Sequence, residues 1–238
     1  MNAPLTALAP TPCGSHWMRI AGVAAALRPS GALWLEDQRM LVVADLHLEK
    51  GSAYAARGQL LPPFDTRETL RRLCAEIEAT DPAVVVFLGD TLHDRKAESR
   101  IMAQDADCLN DLVQHRRLIW IIGNHDADGP KALPGEAADE IVVEGLTLRH
   151  EPRDGADHAW AAGHLHPAAR VVGRGGSVRR RCFVTDGTRI VLPAFGAYAG
   201  GLNVRDRAFA GLFSREPFAV ALGSSRCHPV TWRRLAPD

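Results

Sequence analysis

AVVVFLGD, residues 83–90, decides the fold: a continuous apolar run rich in valine, bounded by Pro82 and Gly89. A run of that length without polar alternation reads as a strand covered on both faces, as in a parallel sheet flanked by other layers. Outward from it the pattern repeats. MLVVADLH (40–47) and LIWIIGNHD (118–126) are again apolar runs that break into polar residues at their carboxyl ends. A helix is predicted between the first two runs, with Asp65 as cap, Glu68 completing a capping box, and Leu70, Leu73, Cys74 and Ile77 on one stripe. A second helix is predicted from about Arg100 to His115, with Met102, Ala106, Leu109 and Val113 at helical spacing. Strand, helix, strand, helix, strand is an α/β pattern with parallel pairing. Ahead of it, Ala32–Leu35 pairs with Met40–Ala44 across the polar turn Glu36-Asp37-Gln38.

From Glu140 the texture changes to short strands broken by glycine: Ile141–Val143, Leu146–Arg149, Ala159–Ala162, Ala168–Val172, Val178–Val184 and Arg189–Leu192. These suit a second, more antiparallel sheet. No internal repeat and no long linker divides the chain. The expected organisation is a loose leader over residues 1–16 and a single domain over 17–238, with polar motifs across 40–166 and an Arg-rich part across 167–238.

The 238 residues, 46% apolar and 24% charged, bury a sizeable core and are not the composition of a disordered chain. No run of 18 apolar residues occurs, which excludes a membrane-spanning helix. The leader, MNAPLTALAPTPCGSH, lacks the basic start and apolar block of a signal peptide. Five scattered cysteines form no C-x-x-C pair, which argues against a disulfide framework or zinc ribbon and fits a reducing, cytoplasmic setting; Cys74 and Cys108 read as buried helical thiols. Zero net charge hides an asymmetry: residues 1–166 hold 16 basic and 24 acidic groups, residues 167–238 hold 12 arginines and 4 acids. Two readings stay open, an anionic partner for the second part or a chain-wide preference for arginine.

The functional signal lies at the carboxyl ends of the strands. In order along the chain come Asp45-Leu46-His47, Gly89-Asp90 with His93 and Asp94 beyond, Gly123-Asn124-His125-Asp126, His150, and Gly163-His164-Leu165-His166. Each piece alone is an ordinary turn or surface loop. Five strands ending this way in succession are not, because that edge of an α/β sheet is where ligands bind. Carboxylate, amide and imidazole without thiolate suit Mn²⁺, Fe, Zn²⁺ or Mg²⁺. In Asp45-x-His47 and His164-x-His166 an extended backbone would point both side chains to one centre. Seven donors exceed one tetrahedral ion and match two ions sharing a carboxylate.

This ordered set resembles the calcineurin-like metallophosphoesterase superfamily. The intervening stretches, among them Arg149-His150-Glu151-Pro152 and Leu192-Pro193-Ala194-Phe195-Gly196-Ala197-Tyr198, are most similar to its bacterial ligase-associated DNA damage response endonucleases. The resemblance implies a four-layer α/β/β/α sandwich and two metal ions, Mn²⁺ foremost. It implies that Asp45, His47 and His166 hold the first ion, that Asn124, His150 and His164 hold the second, and that Asp90 bridges. It further implies that His125 contacts the phosphate and leaving oxygen with Asp126 orienting it. The implied substrate is single-stranded DNA, and the implied associates are a DNA ligase and a helicase in DNA repair.

Two divalent ions about 3.5–4 Å apart clamp a phosphate and supply hydroxide near neutral pH, so a binuclear phosphodiesterase needs no dedicated base. His125 is the expected donor to the leaving oxygen, and Asp126 the group that keeps it protonated. Arg179, Arg180 and Arg181, with Arg170, Arg174 or Arg189, are the expected phosphate-tracking surface, and Phe195 and Tyr198 the expected stacking aromatics. His93 is expected to stabilise its own turn. Two other functions compete: a phosphatase or phosphodiesterase for small nucleotides, and a non-catalytic scaffold, which would show gaps in the donor set.

Overall fold

The computed structural model describes residues 13–59, 61–155, 158–173 and 175–238. Residues 1–12 and Arg174 lie outside the described residues. Two sheets form the molecule. The first holds seven strands in chain order: β1 (His16–Ile20), β2 (Val23–Leu27), β3 (Leu33–Leu35), β4 (Met40–Val43), β5 (Val84–Leu88), β6 (Arg117–Ile121) and β7 (Glu136–Ala138). β1 to β4 form an antiparallel meander, and β4 to β7 run parallel. The second sheet holds β8 (Glu140–Val143), β9 (Leu146–Arg149), β10 (Ala159–Ala162), β11 (Pro167–Gly173), β12 (Gly176–Thr185), β13 (Arg189–Val191), β14 (Leu202–Asn203), β15 (Phe218–Leu222), β16 (Cys227–Thr231) and β17 (Leu235–Ala236). β9, β10 and β13 are parallel neighbours inside an otherwise mostly antiparallel sheet.

Alternation along the first sheet's strands separates two cores. Val42, Val86, Leu88, Ile119 and Ile121 face the second sheet, meeting Leu148, Phe183, Ile190 and Val220. Leu41, Val43, Val85, Phe87 and Trp120 face the other way, onto helices α2 (Asp65–Thr80) and α3 (Ala103–Val113), which come after the short α1 (Lys50–Ala55). Both faces of β4, β5 and β6 are thus dry, which is why their sequences show no polar alternation.

The α/β sandwich stands as the sequence led us to expect, with a thin fourth layer. Among the described residues no α-helix follows α3. Trp160 and Val191 on the outer side of the second sheet are covered instead by Phe209 and Leu212, from a 3-10 turn at Arg207–Phe209 and the loop after it. Gly196, Gly200, Gly201 and Gly211 break up any helical run there. No helix among the described residues is long and apolar enough to cross a membrane.

Local details depart from expectation. His16, the last residue of the expected leader, opens β1. Asp65 is the first residue of α2 rather than its cap, because its carboxylate accepts the Gly51 N–H at 3.0 Å. Glu68 forms no capping box; it binds Arg71 and Arg72. α3 starts at Ala103 after a 3-10 turn at Glu98–Arg100, which leaves Met102 exposed. Cys74 and Cys108 are half-buried, with their sulfurs 3.4 Å apart between α2 and α3.

Candidate metal centre

The polar motifs sit where strands of both sheets end. Asp45 and His47 follow β4, Asp90 follows β5, and Asn124, His125 and Asp126 follow β6; His150 follows β9, and His164 and His166 follow β10. The backbone is unusual at five of these positions: Asp45, His47, Asp90, His164 and His166 have φ of 53, 46, 46, 67 and 45°. Left-handed conformations are unfavourable for residues with a Cβ and persist only where the surroundings enforce them. Here β4 and β5 continue to pair beyond their ends, through Asp45 N–H to Gly89 O at 3.2 Å, His47 N–H to Asp90 O at 2.9 Å and Leu48 N–H to Thr91 O at 2.8 Å. The preceding glycines make room. A Cβ on Gly89, whose φ is +75°, would stand 2.1 Å from His150 Nδ1, and one on Gly123 would stand 2.2 Å from Asp90.

The side chains gather into two groups that include a carboxylate, and a third cluster of His47, His93 and His125 shares His47 with the first. Asp45, His47 and His166 form the first, with His47 Nε2 3.2 Å from His166 Nε2 and Asp45 Oδ1 3.5 Å from the latter. Asp90, His150 and His164 form the second, with His150 Nε2 3.2 Å from His164 Nδ1 and 3.4 Å from Asp90 Oδ1. Asn124 Oδ1 lies 3.0 Å from both of those imidazoles. Asp90 spans the groups, since its other oxygen lies 3.9 Å from His47 Nε2. The extended-backbone expectation fails for His164-x-His166. Both residues are left-handed, and the two rings join different groups.

The donor set fits divalent cations. Asp45 and Asp90 are buried, and among the described residues neither pairs with a lysine or arginine. Buried carboxylates without a cation are costly, and burial pushes the Asp90 carboxyl above its ordinary range. Burial, then the neighbouring His166, pulls His47 down to about 2, so its ring stays neutral, the form that ligates. Divalent ions would supply the missing positive charge.

A family model for calcineurin-like phosphoesterases matches residues 38–164, the span holding every one of these strand-end motifs except His166. The chain belongs to the calcineurin-like phosphoesterases. It is similar to the nuclease MPE of Pseudomonas putida, at 30% identity over 90% of this chain and 100% of that one, with a TM-score of 0.72. More distant are Yfce, a phosphoesterase from E. coli (15% identity, 81% and 98% covered, TM-score 0.40), and AQ665 of Aquifex aeolicus, a protein of unknown function (18%, 58% and 81%, 0.38). No match was found among curated proteins. This calcineurin-like phosphoesterase is a metal-dependent enzyme, and divalent ions are its cofactors.

Other residues of the phosphoesterase are placed differently from expectation. His125 is exposed; its Nδ1–H donates to the His93 carbonyl at 2.8 Å, which leaves Nε2 facing the centre, 4.0 Å from Asp90. Asp126 does not orient it. Its buried carboxylate accepts N–H groups of Gly123 (2.9 Å), Thr91 (2.8 Å) and Leu92 (3.1 Å), tying the β6 end to the β5 end. His93 does more than close its turn: its ring lies 5.5 Å from that of His125 and 5.7 Å from that of His47, and burial draws it down to about 4. No spacing in the sequence signals that approach.

The arginines of β12 are largely occupied. Arg179 bonds Asp238 and the Gly201 carbonyl, Arg181 bonds the Ala194 carbonyl, and Arg180 stands exposed. Arg170 reaches Ser177 and Pro237, and Arg189 is a buried tie to loop carbonyls. Phe195 is fully buried in the core, and the Tyr198 hydroxyl donates to Pro62 O.

Proposed function

We propose that the enzyme is a phosphodiesterase that cuts single-stranded DNA internally, with two divalent ions, Mn²⁺ foremost and Mg²⁺, Fe or Zn²⁺ as alternatives. The observation that carries this reading is the complete donor set, two converging groups joined by Asp90 beside an exposed His125, in a chain 30% identical to a nuclease over 90% of its length. Asp45, His47 and His166 would hold one ion, Asn124, His150 and His164 the other, with Asp90 shared. Bound there, the ions would neutralise the phosphate's oxygens and lower the pKa of water toward neutrality. The chain's own part is positional. Asp45 is locked by the His164 N–H (3.0 Å) and Asp90 by the His125 N–H (2.9 Å), so both carboxylates are oriented before substrate arrives. His125, held by the His93 carbonyl, presents Nε2 to the leaving oxygen and donates a proton to it when that nitrogen carries one. A place in DNA repair beside a ligase and a helicase is what the sequence resemblance suggests, and scattered cysteines without a C-x-x-C pair favour the cytoplasm.

The test is metal-stripped protein incubated with circular single-stranded DNA, with Mn²⁺, Mg²⁺ or Zn²⁺ restored separately and Asp90→Ala as control. A linearised circle that needs both metal and Asp90 establishes an endonuclease, because a circle offers no end. Hydrolysis of a small aryl phosphodiester with the circle left intact would keep the centre and discard DNA as its substrate.

A further inference from the structure

On the nucleic-acid reading above, we infer that the single strand reaches the metal centre through a cationic groove built by the acid-rich first part of the chain, where Arg57, Arg95 and Lys96 hold phosphates flanking the scissile one. The groove, about 410 Å³, lies between α1 and the turn after β5 and is floored by Ala53. Its rim carries four cations, Arg57, Arg95, Lys96 and Arg100, against one carboxylate, Asp94. Asp94 is already satisfied: Arg100 donates to both its oxygens at 3.0 Å and is itself pinned by Ser52 at 2.9 Å. Arg95 has only a loose, exposed approach of 3.7 Å to Asp128. Among the described residues Arg57 and Lys96 make no ion pair. Three cations are therefore available to an anion.

Position links the groove to the chemistry. Asp94 follows His93, whose ring stacks at 5.5 Å on His125, and Tyr54 of α1 lies 6.0 Å from the same ring. An anionic chain in the groove would run from Asp94 toward His93 and the histidine stacked on it. The alternatives are weaker. A second groove, beside His150 and Asn124, sets Arg149 and Arg153 against Asp139 and Glu151, which leaves no surplus charge. The β12 arginines mostly bond their own chain. A basic track leading toward the donor groups admits a flexible strand and binds it through phosphates, without regard to base.

The test compares the holoenzyme with Arg57→Ala/Lys96→Ala and with Arg180→Ala, on oligo-dT and on a small aryl phosphodiester, across a salt series. For the double variant the ratio of kcat/KM for oligo-dT to that for the small ester is expected to fall roughly tenfold, with the slope of log KM against log salt shallower by about 0.7 per lost contact. Arg57→Lys should restore most of the ratio. A double variant whose ratio moves less than about twofold with an unchanged slope overturns the groove while leaving the nuclease reading intact. A fall confined to Arg180→Ala also overturns it and returns the strand to β12. A wild-type enzyme that hydrolyses the small ester but neither binds nor cuts oligo-dT sinks both readings together, and is told apart by that pattern.

Discussion

The two donor groups are joined by Asp90 and differ at one donor: each has two buried members and one half-buried imidazole, but the second adds the exposed amide of Asn124. Asp45 and His47 are 0% and 6% exposed, Asp90 and His150 3% and 4%, and His166 and His164 are both half-buried. The first group joins a carboxylate with no lysine or arginine partner to a ring kept neutral by burial. The second relies on an uncharged amide at the mouth of the cleft. That amide would divide the labour: an ion in the first group would be retained, and one beside Asn124 would meet substrate and exchange.

Removing the shared residue acts on both groups at once. Asp90→Ala should cost both ions and lower phosphoester turnover on the order of a thousandfold or more, read by elemental analysis and small-ester kinetics. Retention of two ions would refute the bridge. Next, His125→Ala should keep both ions yet slow alkyl phosphodiesters about a hundredfold, and activated aryl ones less; equal losses would count against a role at the leaving oxygen. Asn124→Ala sharpens the contrast itself. It should weaken one ion roughly ten- to hundredfold and leave the other in place, so that metal titration turns from two tight sites into one tight and one weak. Asp126→Ala addresses stability more than metal. With three backbone N–H groups stripped of their acceptor, urea unfolding of the metal-free protein should show a loss of about 3 kcal/mol.

The smallest effect concerns pH in the metal-free protein. Folded His47 and His93 are drawn down to about 2 and about 4 from the ordinary 6.5, so the unfolded chain binds more protons below neutrality. Stability is expected to be full above 6.5 and to decline as pH falls below it. Flat stability between pH 7 and 5 would show that the rings charge without penalty.

Much of this was legible in the sequence because it depends on burial. β4, β5, β6, α2 and the strand-end motifs announce themselves through apolar runs and stripes that any two-sided core requires. The β1–β2 hairpin was not legible, since VAAAL in β2 carries neither β-branched residues in number nor alternation. Asp65, Glu68 and Asp126 misled for one reason: a carboxylate's sequence neighbours do not say which N–H or guanidinium will claim it, and distant partners did. Arginine counts misled likewise, because Arg181 and Arg189 spend their donors on carbonyls of their own chain. His93 was undervalued because its approach to His47 and His125 is purely tertiary.

The left-handed backbone at Asp45, His47, Asp90, His164 and His166 bears on what anyone could build at this site. Asn, Asp and His tolerate that conformation several-fold better than other side chains, and valine, isoleucine and threonine are all but barred from it. The main chain therefore screens the candidates before any ion is offered. A library randomised at these five positions should return mostly soft failures of folding, and transplanting the centre to another scaffold means copying the twist of its strand ends first and its ligands second.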